Sequence, residues 1–179
     1  MSAAAAFAAW LGAGVIVLAD GRKGLAVGIG LVAAGFAALA WAEGRWLGGA
    51  FLLAGGAVFV IELFRTGPQD WGLMPAGSTP RLILAVVGGI LSLWVAASVT
   101  TGPGAPLRFA TLAVPVMMAG RLLQGKSATI VLVAAAGLAL ALAGASDLGL
   151  REGGLTPYLI GAVIAAGASF LRVAESRGV

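Results

Sequence analysis

The chain has 179 residues, of which 60% are hydrophobic and 10% charged, with a mean hydropathy of +1.05 and a formal net charge of +4. A soluble domain carries about 25% charged and about 45–50% apolar residues, so an ordinary globular protein, a disordered chain and a nucleic-acid-binding domain are excluded. The 29 glycines follow no three-residue period, which excludes a collagen-like chain and leaves a polytopic membrane protein.

Seven apolar segments follow in chain order: Ala3–Ala19, Gly24–Ala42, Trp46–Phe64, Leu82–Val99, Leu107–Leu123, Ala128–Ala145 and Leu155–Val173. A bilayer core of about 30 Å takes roughly 20 helical residues, so each segment predicts a short transmembrane helix. Seven such helices leave about 40 residues for loops and ends, too few for a soluble domain of about 50. The expected fold is therefore all-α: one transmembrane bundle over residues 1–179, Gly/Ala-rich throughout. The first segment is not expected to be a cleaved signal peptide, because Met1–Ala9 hold no Lys or Arg.

The cut between the fifth and sixth segments is the weakest. Arg121 and Lys126, flanked by Gly120 and Gly125, interrupt an apolar run there and predict a tight hairpin. Six helices, with the first segment lying at the interface, are the alternative count. Between the third and fourth segments, Pro68, Pro75 and Pro80 argue against a long helix. Trp71, Leu73 and Met74 in that loop read equally as a plain surface loop and as an apolar dip into the interface.

Charge tests the orientation. In a seven-helix arrangement Arg22, Lys23, Arg65, Arg81, Arg121, Lys126, Arg172 and Arg177 fall on one side, and Arg45, Arg108 and Arg151 on the other. Cytoplasmic loops collect Lys and Arg, so the N-terminus is expected outside and the C-terminus in the cytoplasm, in a cytoplasmic (inner) membrane. Trp10, Trp41, Trp46 and Trp94 fall in the outer halves of their segments and predict an aromatic belt there.

Helices in lipid associate through close packing, which small residues four apart permit. Gly24/Gly28, Gly44/Gly48, Ala4/Ala8 and Ala33/Ala37 have that spacing. Leu31–Ala34 recurs as Leu132–Ala135, each followed by an acidic–Arg turn, the mark of a three-one-three repeat or of compositional bias.

The chain has no His and no Cys, so the usual metal and haem ligands, the usual general base and all thiol chemistry are missing, and no cofactor is expected. No nucleophile–base pair or paired acids stand at a reactive spacing, so no enzymatic site is expected. Gly28-x-Gly30 lies inside a spanning segment and is not a nucleotide fingerprint. No segment carries charge at mid-depth. Glu62, Arg65 and Arg121 lie within a turn of the inner boundary. Glu62 and Arg65 can pair three residues apart. Glu62 with Arg121 would make a gate or ion site at the cytoplasmic mouth, whereas the favoured reading is interfacial anchoring with the arginines snorkelling. Pro115, beside Met117 and Met118, is expected to kink the fifth helix.

Gly55–Phe64, the Gly/Pro turn after it and Leu84–Leu91 resemble a membrane hairpin of the NfeD-type partners of stomatin-like proteins, over about a fifth of the chain. The turn Arg65–Gly72 departs from that family, and its soluble barrel is missing. The three-one-three layout is similar to SWEET-type sugar transporters, although Pro68-Gln69 stands in a loop and not on a helix. Neither resemblance carries residue roles over. The functional expectation is a structural or accessory subunit of a larger membrane complex, with other subunits or self-association through small-residue faces as partners besides the bilayer. The alternative is a small permease or channel for a neutral or weakly polar solute.

Overall fold

A computed structural model shows an all-α chain. Residues 1–66, 70–73, 79–99, 102, 104–125, 127–148 and 154–176 are described, without the side chains of 84, 96, 97, 99, 147 and 172–176. Among them are seven α-helices: α1 (Ser2–Leu18), α2 (Arg22–Ala42), α3 (Trp46–Arg65), α4 (Thr79–Val99), α5 (Ala105–Gln124), α6 (Ala128–Ala145) and α7 (Thr156–Ser176). A single 3-10 turn, Ser146–Leu148, follows α6.

Helix ends differ from the apolar segments for two reasons. Charges end an apolar run without ending a helix, so α2 begins at Arg22. Proline in the first turn lacks an amide that would be unbonded anyway, so Pro80, Pro106 and Pro157 each stand second in their helix. Pro80 therefore belongs to α4 and not to the loop before it. Pro115 lies inside α5, and the helix continues on both sides of it. The predicted break after α5 is present: the helix ends at Gln124, and the Ser127 hydroxyl caps α6 by accepting from the Ile130 amide at 3.4 Å.

Helices α2, α3, α5 and α6 are long and apolar enough to cross a membrane. α1 is apolar but has 17 residues, about 26 Å of rise against a core of about 30 Å. It is nonetheless a full member of the bundle, because it lies along the whole of α2. Gly35 of α2 meets Ala5 and Ala9, Gly28 meets Gly12 and Ile16, and Gly24 meets Ala19.

Two layers result. α1, α2 and α3 pack in sequence, as do α5, α6 and α7; α1 faces α5, α2 faces α6 and α3 faces α7. α4 lies outside both layers, against α5 and the edge of α1. α2 is the central helix, with residues from Gly24 to Ala40 buried on most of its circumference.

Glycine sets the distances between helices. A Cβ on Gly28 would lie 2.5 Å from Ile16 Cγ1 and 2.9 Å from the Gly12 carbonyl oxygen. Gly55 meets the Ala162 backbone, Gly48 lies under the Tyr158 ring, and Gly144 lies against Phe36. Two of the four expected small-residue pairs are corrected. Ala4 is exposed, and the residues that α1 buries are Ala5, Ala6, Ala9, Gly12, Ala13, Ile16 and Val17. Gly44 is no packing residue: it takes φ +78 in the α2–α3 turn, where no atom would approach its Cβ.

Not all of the tryptophans expected in a belt lie near a helix end. Trp41 and Trp46 stack with centroids 6.2 Å apart, and the Trp41 indole donates to the Trp46 carbonyl at 3.1 Å. Trp94 is exposed towards the C-terminal end of α4. Trp10, however, is the middle residue of α1 and packs against Gly89, the middle residue of α4.

Overpacking a close helix contact costs about 1–3 kcal/mol. Gly28→Val is therefore expected to lower stability by about that much in detergent unfolding titrations. Gly88→Ala is the control: no atom lies within 4 Å of its Cβ position, and little change is expected.

Candidate functional site

The charged residues gather at the end of the bundle where α1 meets α2. α1 stops at Leu18, and Ala19 is extended (φ −96, ψ 137). That extension lets Ala19 form an antiparallel bridge with Leu73, from the connection after α3. The Asp20 amide donates to the Gly72 carbonyl at 3.0 Å, and the Lys23 amide to the Asp70 carbonyl at 2.9 Å. The Arg22 amide donates to Asp70 Oδ1 at 3.3 Å. These contacts satisfy amides at the start of α2 that have no partner within the helix. The two chains touch so closely that a Cβ on Gly21 would lie 2.5 Å from the Gly72 nitrogen, while Gly72 itself takes φ +48.

Asp20 projects from this turn between two arginines. Arg81, from the first turn of α4, donates its Nη1 to Oδ2 at 2.6 Å. Arg121, from the last turn of α5, donates its Nη2 to Oδ1 at 2.5 Å and to the Ala19 carbonyl at 2.7 Å. One carboxylate thus joins the α1–α2 turn, α4 and α5, while the Asp70–Leu73 segment bonds to the backbone of the same turn. Arg121 has 0% exposure, the largest side chain fully buried in the bundle. Its Nε and Nη1 have no acceptor among the described residues.

Burial alone would raise the Asp20 carboxyl. Hydrogen bonds from Arg81 and Arg121, with their positive charges, outweigh that and hold it below the ordinary aspartate value.

Arg121 therefore does not snorkel, and its acidic partner is Asp20 rather than Glu62. Glu62 lies 3.9 Å from Arg65, whose side chain is 74% exposed, so that pair contributes little to stability. Trp71 and Leu73 are half exposed, and Met74 lies outside the described residues, as do Lys126, Arg151 and Arg177. Sequence reasoning did not single out Asp20. The available signal was an acid at the boundary of two spans on the side richest in arginine.

Removing one member of a buried ion pair costs about 3–5 kcal/mol, because the other charge is left unpaired. Asp20→Asn, which strands Arg121, is expected to cost that much in an unfolding titration. Arg121→Met is expected to cost less, since Asp20 is partly exposed and keeps Arg81. A depressed carboxylate stabilises the fold above its unfolded value of about 3.9 and loses that contribution as pH falls through the lower folded value. The acid limb of the stability profile below about pH 4 is expected to be steep in the wild type and flatter in Asp20→Asn. No protein family, curated protein or solved structure matches the chain, so the hairpin and three-one-three resemblances rest on the residues quoted for them.

Proposed function

We propose that this is a multi-pass protein of the cytoplasmic membrane, its basic end in the cytoplasm, acting as a structural or accessory subunit of a larger membrane complex. The observation that carries the reading is the filled, apolar interior. The buried residues are Ala, Gly, Leu, Ile, Val, Phe and Met, with Tyr158, Thr111, Ser169 and Arg121 the polar side chains among those described. The hydroxyls turn inward on their own helices: Thr111 donates to the Leu107 carbonyl at 2.9 Å, and Ser169 to the Ala166 carbonyl at 2.6 Å. A permease binds solute near mid-membrane on freed backbone or polar groups. The described mid-depth layers hold packed small residues instead, and among the described residues grooves lie on the outside of the bundle, between α1 and α4 and between α6 and α7.

The orientation draws support from the charges that meet at one end. Arg81 and Arg121 pair with Asp20 there and Arg22 and Lys23 begin α2 at the same end, while Arg45 and Arg108 stand at helix starts from the opposite end.

Two experiments test the proposal. The chain contains no cysteine, so single cysteines report sidedness cleanly. A Cys at position 43, exposed at the end of α2, is expected to react with an impermeant maleimide added outside whole cells, and one at position 65, exposed at the end of α3, only after permeabilisation; the reverse pattern would invert the orientation. Native gels in mild detergent are expected to show the chain in a larger assembly. A stable lone monomer, together with solute uptake in proteoliposomes, would replace the subunit reading with the permease.

A further inference from the structure

The groove between α1 and α4 has a volume of about 390 Å³, within the range of small-molecule sites, and is almost wholly apolar. Its walls are α1 from Trp10 to Leu18 and α4 from Ala85 to Leu93, and Met117 of α5 forms the floor. The seven helical steps from Leu11 to Leu18 and the eight from Ala85 to Leu93 rise about 10 and 12 Å. That approaches half of a 30 Å core, about 15 Å, which is the depth of one leaflet. A partner helix would need a furrow along the whole span. Here the α1 wall ends at Trp10, seated on Gly89 at mid-helix, and only Ile90 and Leu93 of α4 line the groove beyond it.

All three walls lead into the charged cluster. Arg81 precedes Ala85 by one turn on the same face of α4, Arg121 follows Met117 by one turn on α5, and Asp20 comes two residues after Leu18. Two guanidinium groups there face one carboxylate, and Arg22 and Lys23 begin α2 beside it. The fully buried Arg121 keeps two donors with no acceptor among the described residues. An apolar slot of one-leaflet depth ending in surplus positive charge is complementary to a single amphiphile with an anionic head.

We propose that the α1/α4 groove seats an acyl chain of an anionic phospholipid from the leaflet at the basic end, with the headgroup phosphate against Arg81. The chain lies along Leu18 and Ala85 and ends at Trp10. The inference rests on the bundle spanning a membrane and is independent of the accessory-subunit reading.

Native mass spectrometry of the detergent-solubilised protein, titrated with phosphatidylglycerol and with phosphatidylcholine, tests it. One phosphatidylglycerol is expected to be retained per chain, about fivefold more tightly than phosphatidylcholine, the worth of one basic residue beside an anionic headgroup. Arg81→Gln is expected to abolish that preference. Gly14→Leu places its side chain in the groove, where the nearest atom to the new Cβ is Met117 Cε at 3.8 Å, and is expected to weaken both lipids equally. The two variants act at different ends of the site, so each stands if the other misfolds. Equal binding of the two lipids by the wild type would overturn the proposal, as would a preference that survives Arg81→Gln. A Val86→Cys protein that cross-links to a second copy in membranes would overturn it too, giving the groove to another chain.

Discussion

The close approach of α1 to α2 is the constraint on which the remaining packing depends. Lipid tails solvate a leucine as well as a protein interior does, so apolar area does not by itself pull two helices together in a membrane. What remains is dispersion between surfaces that fit, and this falls away within a fraction of an ångström. The bare backbone of Gly28 lies against Gly12 and Ile16, and Gly35 against Ala5 and Ala9. α2 can therefore receive α1 on one side and still have α3 and α6 on others, with Ala33 against Gly56 and Phe36 against Gly144. A bulkier central helix would hold its neighbours too far apart for the second layer to meet the first.

Polar bonding at the basic end supplies the specificity that small-residue contacts lack. Ala and Gly faces are much alike, and a helix can slide along one by a turn at little cost. The carboxylate of Asp20 allows no such shift: Arg81 and Arg121 reach it only when α4 and α5 stand at their observed heights. The glycines at 21 and 72 fix the turn itself, since neither a Cβ at Gly21 nor an ordinary backbone angle at Gly72 fits the docking of the two chains. Small residues thus set how near the helices lie, and this cluster sets their register.

The helices and their order were legible because lipid imposes a long apolar run on every span, and charge or Gly/Pro on every turn. Gly125, which follows the last residue of α5, marked even the weakest cut. The side-chain pairing was not legible. Asp20 and Arg121 are 101 positions apart, and nothing local distinguishes an arginine that snorkels from one buried beneath a turn. Spacing placed Glu62 near Arg65 because three residues on a helix share a face; it had no means of measuring the distance from α3 to α5. Ala4 and Ala5 are chemically identical, so only the rotation of α1 decides that Ala5 is buried and Ala4 is not. Trp10 was within one residue of the centre of its apolar segment, and the structure puts it at the centre of α1 against Gly89 of α4.

The sequence distance between Asp20 and its arginines has a consequence for biosynthesis. Arg81 and Arg121 leave the ribosome 61 and 101 residues after Asp20. At about 5–20 residues per second, the full clasp waits about 5–20 s after Asp20 is made. During that interval the first hairpin is held by Gly12, Gly28 and their neighbours alone, while its acidic turn stays in water at the surface. The clasp closes only once α5 has been made, and truncation before α5 leaves the N-terminal hairpin packed but its carboxylate without the buried arginine.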